Sequence, residues 1–202
     1  MVQRVNRNVD FVTDDFGNLI GIQKSPGQID RIARLYQDGG GAYGIYGTSG
    51  EVMKFPIANA GGPDVAITGS TTEQVLATLS LPADFLGANG FIRGMARFQF
   101  TNNANNKTLR TRLGGISGTS MGGFIVSING YITYQFWIQN KGAKNSQIGN
   151  ATDGDWQNSG TQVPQTGSVD TTTALDVVIT GQLATSSDTL TLKAWYIEAV
   201  PL

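Results

Sequence analysis

In FIRGMARFQF, residues 91–100, the two faces of the chain alternate at every step. Ile92, Gly94, Ala96, Phe98 and Phe100 fall on one side, and Arg93, Arg97 and Gln99 fall on the other. A period of two is the pleat of a half-buried strand, and a helix cannot satisfy it. The pattern recurs in Val75, Ala77, Leu79 and Leu81, in Leu109, Thr111 and Leu113, and in Phe124, Val126 and Ile128. It returns in Ile132, Tyr134, Phe136 and Ile138, in Leu175, Val177, Ile179 and Leu183, and in Leu190, Leu192, Ala194 and Tyr196. Strands with one polar face predict an antiparallel β-sandwich over residues 63–202 with almost no helix. Asn129-Gly130 is the strongest hairpin signal in the chain. The last strand runs to Pro201-Leu202, so the C-terminus is expected to pair into the sheet.

Composition supports this class. Charged residues make up 14% of the chain and glycine is present 27 times, without a repeat of fixed period. There is no cysteine and no histidine. Disulfides, thiolate metal sites and every catalytic arrangement that needs Cys or His are therefore excluded. A net charge of −1 gives no reason to expect nucleic acid as a partner. No run of roughly 18 apolar residues is present, so membrane insertion is not expected. MVQRVNRNVDFV lacks the pattern of a signal peptide. The expectation is a soluble chain made in a cytoplasm, with no cofactor and no metal.

Residues 1–62 read differently. VDFVTDD and FGNLIGIQ suggest two short strands around a turn at 14–18. SPGQIDRIARLYQDGGG predicts the one helix, near residues 26–37, with Ser25 as cap and Ile29, Ile32, Ala33 and Tyr36 at helical spacing. A glycine-rich run with Tyr43, Tyr46 and Phe55 follows. So few large apolar side chains make a small core, so this segment is expected to order against a partner or a neighbouring protomer. Its candidate contact residues are Phe11, Phe16, Leu19, Ile20, Ile29, Ile32 and Tyr36.

Motifs for chemistry are sparse. Asp153 and Asp155 in TDGDWQ can be imagined as a carboxylate pair or as calcium oxygens, but the calcium-loop pattern is incomplete and a solvated turn explains them. Glu73 and Asp176 are the other carboxylates to weigh. GGGAYGIYGTSG lacks the spacing and lysine of a phosphate loop, and SGTSMGG lacks a nucleophile elbow. No catalytic residues are assigned, and the chain is read as not an enzyme. Two features point to surfaces. Arg93, Arg97, Arg110 and Arg112 lie on the polar faces of two strands, and would form one basic patch if those strands pair. Between the strands, TNNANNK places four asparagines in five positions, read as a tip whose asparagines serve turn geometry.

The segment LATLSLPADFLGANGFIRGMARFQFTNNANNKTLRTRLGG resembles a module of tailed-phage structural proteins, and WIQNKGAKNSQIGN fits the same module. The resemblance covers about residues 73–202, and GNLIGIQKSPG is similar to short phage anchoring segments. It implies a viral β-sandwich or jelly roll, commonly trimeric, as in head fibres, capsid decoration proteins and tail fibres.

The expected organisation follows. Residues 1–62 form an anchoring segment and residues 63–202 an outward β-sandwich. The expected role is that of a virion structural protein assembled in the host cytoplasm, most simply a trimeric capsid decoration or head-fibre protein bound to the major capsid protein or another virion protein. The alternative is a tail-fibre or baseplate module recognising a host-surface glycan, with Trp137, Trp156, Trp195 and tyrosines stacking on sugar. A second apolar face made of Phe91, Met95, Trp137, Trp195 and Ile197 motivates the homotrimer.

Overall fold

The structure is a computed structural model of the 202-residue chain. It describes residues 56–150 and 164–202 in full, together with the backbone of residue 151 and of six strands nearer the N-terminus. The chain divides into two units, Met1–Phe55 and Pro56–Leu202.

In the first unit, β1 (Val2–Asn6), β2 (Val9–Thr13) and β3 (Leu19–Gln23) form an antiparallel sheet in that order. β2 and β3 are the two strands expected on either side of residues 14–18. β4 (Tyr36–Gln37), β5 (Tyr43–Tyr46) and β6 (Val52–Lys54) form a second antiparallel sheet. Phe11, Leu19 and Ile20 thus lie on strands. Tyr36 opens β4, so the end expected for the helix is a strand. The rest of that helix, with Ile29 and Ile32, and also Phe16, lies outside the described residues.

The second unit is all β. Its strands are β7 (Ile57–Ala60), β8 (Val65–Thr68), β9 (Gln74–Leu81), β10 (Phe91–Phe100), β11 (Lys107–Leu113) and β12 (Thr119–Val126). They continue as β13 (Tyr131–Asn140), β14 (Gln147–Ala151), β15 (Pro164–Gly167), β16 (Leu175–Leu183) and β17 (Thr189–Val200). One sheet has the order β15-β14-β13-β10-β17, and β7 and β8 both pair along the free edge of β17. The other has the order β12-β11-β16-β9. All pairings are antiparallel.

The inward rows of both sheets share one apolar core. Ile92, Ala96 and Phe98 of β10 meet Leu109 and Leu113 of β11, Ile138 of β13, Val177 and Ile179 of β16, and Leu190 and Leu192 of β17. Removing a side chain such as Phe98 from water is worth roughly 1.5–3 kcal/mol. Gly94 belongs to the same row because the Phe136 ring fills its space: a Cβ there would lie 2.4 Å from Cζ of Phe136.

β12, β17 and β9 depart from simple alternation, each at a bulge. On β12 a shift at Thr111/Arg112 of its partner leaves Met121, Gly122 and Gly123 all buried. On β17 the register shifts opposite Arg97 and Phe98, leaving Lys193 unmatched between Leu192 and Ala194. One extra residue reverses the faces of a strand. Ala194 and Tyr196 therefore point to solvent, Ile197 and Ala199 are fully buried, and Trp195 packs against the core. Trp195 and Ile197 consequently drop out of the expected second apolar face. On β9 a shift at Ile179/Thr180 of its partner turns Leu76 inward and leaves Val75 exposed.

Asn129-Gly130 is not a hairpin. Both residues have the positive φ that such a turn needs, 86° and 76°. The flanking strands nevertheless part, β12 into the four-stranded sheet and β13 into the other. The TNNANNK tip likewise joins strands of different sheets, β10 and β11.

Candidate functional site

The two ends of the second unit are pinned in different ways. At the asparagine-rich end, Lys107 is completely buried and Asp188 is 2% exposed. The ammonium group donates to Oδ1 of Asn103 (2.6 Å) and to the carbonyl of Asn105 (2.9 Å), and lies 3.2 Å from Oδ2 of Asp188. Nδ2 of Asn103 closes the ring by donating to Oδ1 of Asp188 at 2.7 Å. The Phe100 ring, 5.9 Å from the ammonium, covers the group. Burial pushes the Asp188 carboxyl upward, but hydrogen bonds from Asn103, Lys107 and Asn105 and the Lys107 charge outweigh it and hold the group below the usual carboxylate range. The tip is therefore not a loop whose asparagines serve backbone geometry alone, as its composition suggested. Asn103 makes the Asx bond typical of turns, accepting from the Asn105 amide at 3.0 Å, and also joins a buried ion pair.

The same tip fixes the neighbouring turn. Oδ1 of Asn102 accepts from the Asn129 amide at 3.1 Å, the Phe100 amide donates to the Gly130 carbonyl at 2.8 Å, and the Asn103 amide donates to the Ser127 carbonyl at 3.3 Å. Beside this turn opens a cleft of about 450 Å³ lined by Arg97, Gln99, Asn129, Gly130, Tyr131 and Lys193, with Phe98 behind.

At the opposite end the buried polar groups are neutral. Nδ2 of Asn140 donates to the Gly87 carbonyl (2.7 Å) and to Oγ1 of Thr171 (3.0 Å), while Nε2 of Gln147 donates to Oδ1 of Asn140 (2.9 Å). Gln147 also exchanges two bonds with the backbone of Val169, at 3.0 and 2.9 Å. Amides thus tie the loops around 87, 144 and 170 together.

The four arginines do not share a patch, because β10 and β11 belong to different sheets. Arg110 and Arg112 lie on the outer face of the four-stranded sheet and converge on Glu73. Nη1 of Arg110 is 3.0 Å from the Glu73 carboxylate, and Nε and Nη2 of Arg112 are 2.7 and 2.8 Å from it. Thr180 donates its hydroxyl to the same carboxylate. Partial burial raises the Glu73 pKa, yet the hydrogen bonds from Arg112 and Thr180 and the two positive charges bring it below the ordinary value. Arg93 and Arg97 lie on the outer face of the other sheet. Arg93 pairs with Glu198 at 2.6 Å and sits 5.8 Å over the Phe91 ring. Arg97 lies 6.0 Å over the Tyr131 ring and forms no ion pair among the described residues.

Asp176 accepts from the Ser80 hydroxyl at 2.7 Å, and Glu73 is held by the two arginines, so the two carboxylates have separate partners. Asp153, Asp155 and Trp156 lie outside the described residues. Trp137 is exposed on β13, opposite Arg93 in the ladder. Phe91, Met95 and Tyr196 lie on the same outer face of the larger sheet, Phe91 and Met95 half-buried and Tyr196 exposed, with the Arg93–Glu198 ion pair running between them.

No protein-family model and no curated protein matches the sequence. Among solved structures, the chain is similar to the VP2 subviral particle of infectious bursal disease virus, at 11% identity and a TM-score of 0.34, over 98% of this chain and 46% of that one. It is also similar to a structure of the Gx strain of infectious bursal disease virus, at 12% identity and a TM-score of 0.27, over 74% of this chain and 38% of that one. The chain thus spans less than half the length of either.

Proposed function

We propose that the chain is a structural protein of a virus particle, with the two-sheet unit facing outward and residues 1–62 attaching it to a capsid or tail partner. The observation that carries this reading is the strand order. Counted in sequence, with β7 and β8 together as the first strand and β9, β10, β11, β12, β13, β16 and β17 as the next seven, one sheet runs first-eighth-third-sixth. The other runs second-seventh-fourth-fifth. That is the order of a jelly roll, two interleaved Greek keys, an architecture used by viral capsid and lectin domains. A fold alone does not fix a function. The resemblance of residues 73–202 to tailed-phage modules is what favours a tailed-phage decoration or head-fibre protein, assembled in the host cytoplasm, over the alternative of a tail-fibre or baseplate receptor-binding module.

A homotrimer fits the exposed Trp137 and Tyr196 and the half-buried Phe91 and Met95 near them, apolar surface that covering by neighbouring copies would remove from water. The test is co-sedimentation with particles made without the protein, alongside light scattering. The full chain should bind and weigh as a trimer, whereas a chain lacking residues 1–55 should stay folded and fail to bind. Full occupancy by the truncated chain would overturn the anchor, and a monomeric mass would overturn the trimer.

A further inference from the structure

The cleft beside the Asn129-Gly130 turn combines features that the structural role does not require. Arg97 projects from β10 with no carboxylate partner among the described residues. Its guanidinium is seated over the Tyr131 ring, which restricts its rotamers before any ligand arrives. Tyr131 is nevertheless 65% exposed, so much of the ring remains free. Lys193, the bulge residue of β17, brings a second cation to the cleft and is shared with Asp64. Gln99 and Asn129 present exposed side-chain amides. Asn102 holds the rim through the Asn129 amide.

We propose that this cleft binds a carboxylated sugar, the uronic- or sialic-acid residue of a glycan. A guanidinium fork matches a carboxylate with two parallel hydrogen bonds. A tyrosine ring offers a flat apolar surface to the C–H face of a pyranose and a hydroxyl at its edge. Free amides suit sugar hydroxyls, which need both donors and acceptors. A nucleic-acid strand is a poorer match, since the cleft has two cations, one of them already shared, on a chain of net charge −1. The inference goes beyond the virion reading and stands or falls separately from it.

The test is calorimetric titration of the full chain with 3′-sialyllactose and with trigalacturonic acid, using lactose and inorganic phosphate as comparators. At least one acidic sugar should bind, with lactose and phosphate each weaker by about tenfold or more. Arg97→Gln and Tyr131→Ala should each weaken binding by about tenfold or more, with an unchanged melting temperature. Arg93→Gln, on the same face but paired with Glu198, should bind like the parent. Equal binding of lactose would remove the carboxylate from the account, and equal binding of phosphate would remove the sugar. Undiminished binding by Arg97→Gln, or no binding of either acidic sugar, would overturn the proposal.

Discussion

The two ends of the two-sheet unit solve one problem with different chemistry. Each must hold loops that cross between sheets, and each buries polar side chains to do so. One uses Lys107 and Asp188, bridged by Asn103, and the other uses the neutral groups Asn140, Gln147 and Thr171. A buried ion pair is a poor source of net stability, because desolvation offsets its attraction, but breaking it leaves a charge stranded. The ionic end is thus the one where a wrong arrangement costs most. It is also the end where the tip, the Asn129-Gly130 turn and the cleft meet. A neutral amide network tolerates local opening more readily, since a freed amide can find water.

The largest effect should come from removing one partner at the ionic end. Lys107→Met is expected to destabilise the protein by about 3–5 kcal/mol, measured by denaturant unfolding, because Asp188 is left buried without its cation. Gln147→Ala at the other end should cost less, about 1–3 kcal/mol, through the amide and carbonyl groups it leaves unsatisfied. If the second loss equals or exceeds the first, the contrast between the ends disappears.

Acid should separate the ends as well. The Asp188 pKa is lowered in the folded protein, so its contribution is complete above the ordinary carboxylate value, roughly pH 4, and is lost as pH falls through the lowered one. Glu73 acts with the same sign on the outer face of the four-stranded sheet. At the neutral end the charged groups lie on the surface: Asp84 pairs with Lys144 at 2.5 Å, both about half exposed, and the exposed turn residue Asp170 is held low by Thr172, so solvent screens both. Hydrogen exchange below roughly pH 4 should therefore open residues 101–107 and 185–189 before residues 140–147 and 169–171. Simultaneous opening would contradict the assignment. The smallest effect is expected for Arg93→Ala, whose ion pair with Glu198 lies on the surface: less than about 1 kcal/mol.

Much of this was legible from alternation alone. The rows of β10, β11, β13 and β16 point inward as their spacing requires. Even the ionic lock had a signal: Lys107 is in phase with Leu109, Thr111 and Leu113, and Asp188 is in phase with Leu190 and Leu192. A charge on a buried row must find a partner, and the two lie 81 residues apart, a distance in sequence over which spacing gives no pairing. The bulge at Lys193 was hidden for a related reason. Ala194 and Tyr196 continue an apolar row, and only pairing with β10 shows that the row has changed face. The destination of Asn129-Gly130 was equally out of reach, because turn chemistry specifies positive φ but not which sheet receives the next strand. Arg97 looked equivalent to Arg110 and Arg112 until topology gave those two a carboxylate and left it beside Tyr131.

The ionic lock is tested most directly by comparing Lys107→Met with the double variant Lys107→Met/Asp188→Leu in the same unfolding experiment. The account predicts that the double variant unfolds at a higher denaturant concentration than the single one, because no charge is then left buried alone. Lys107→Met unfolding at the parent midpoint, or the double variant unfolding earlier than the single one, would contradict it.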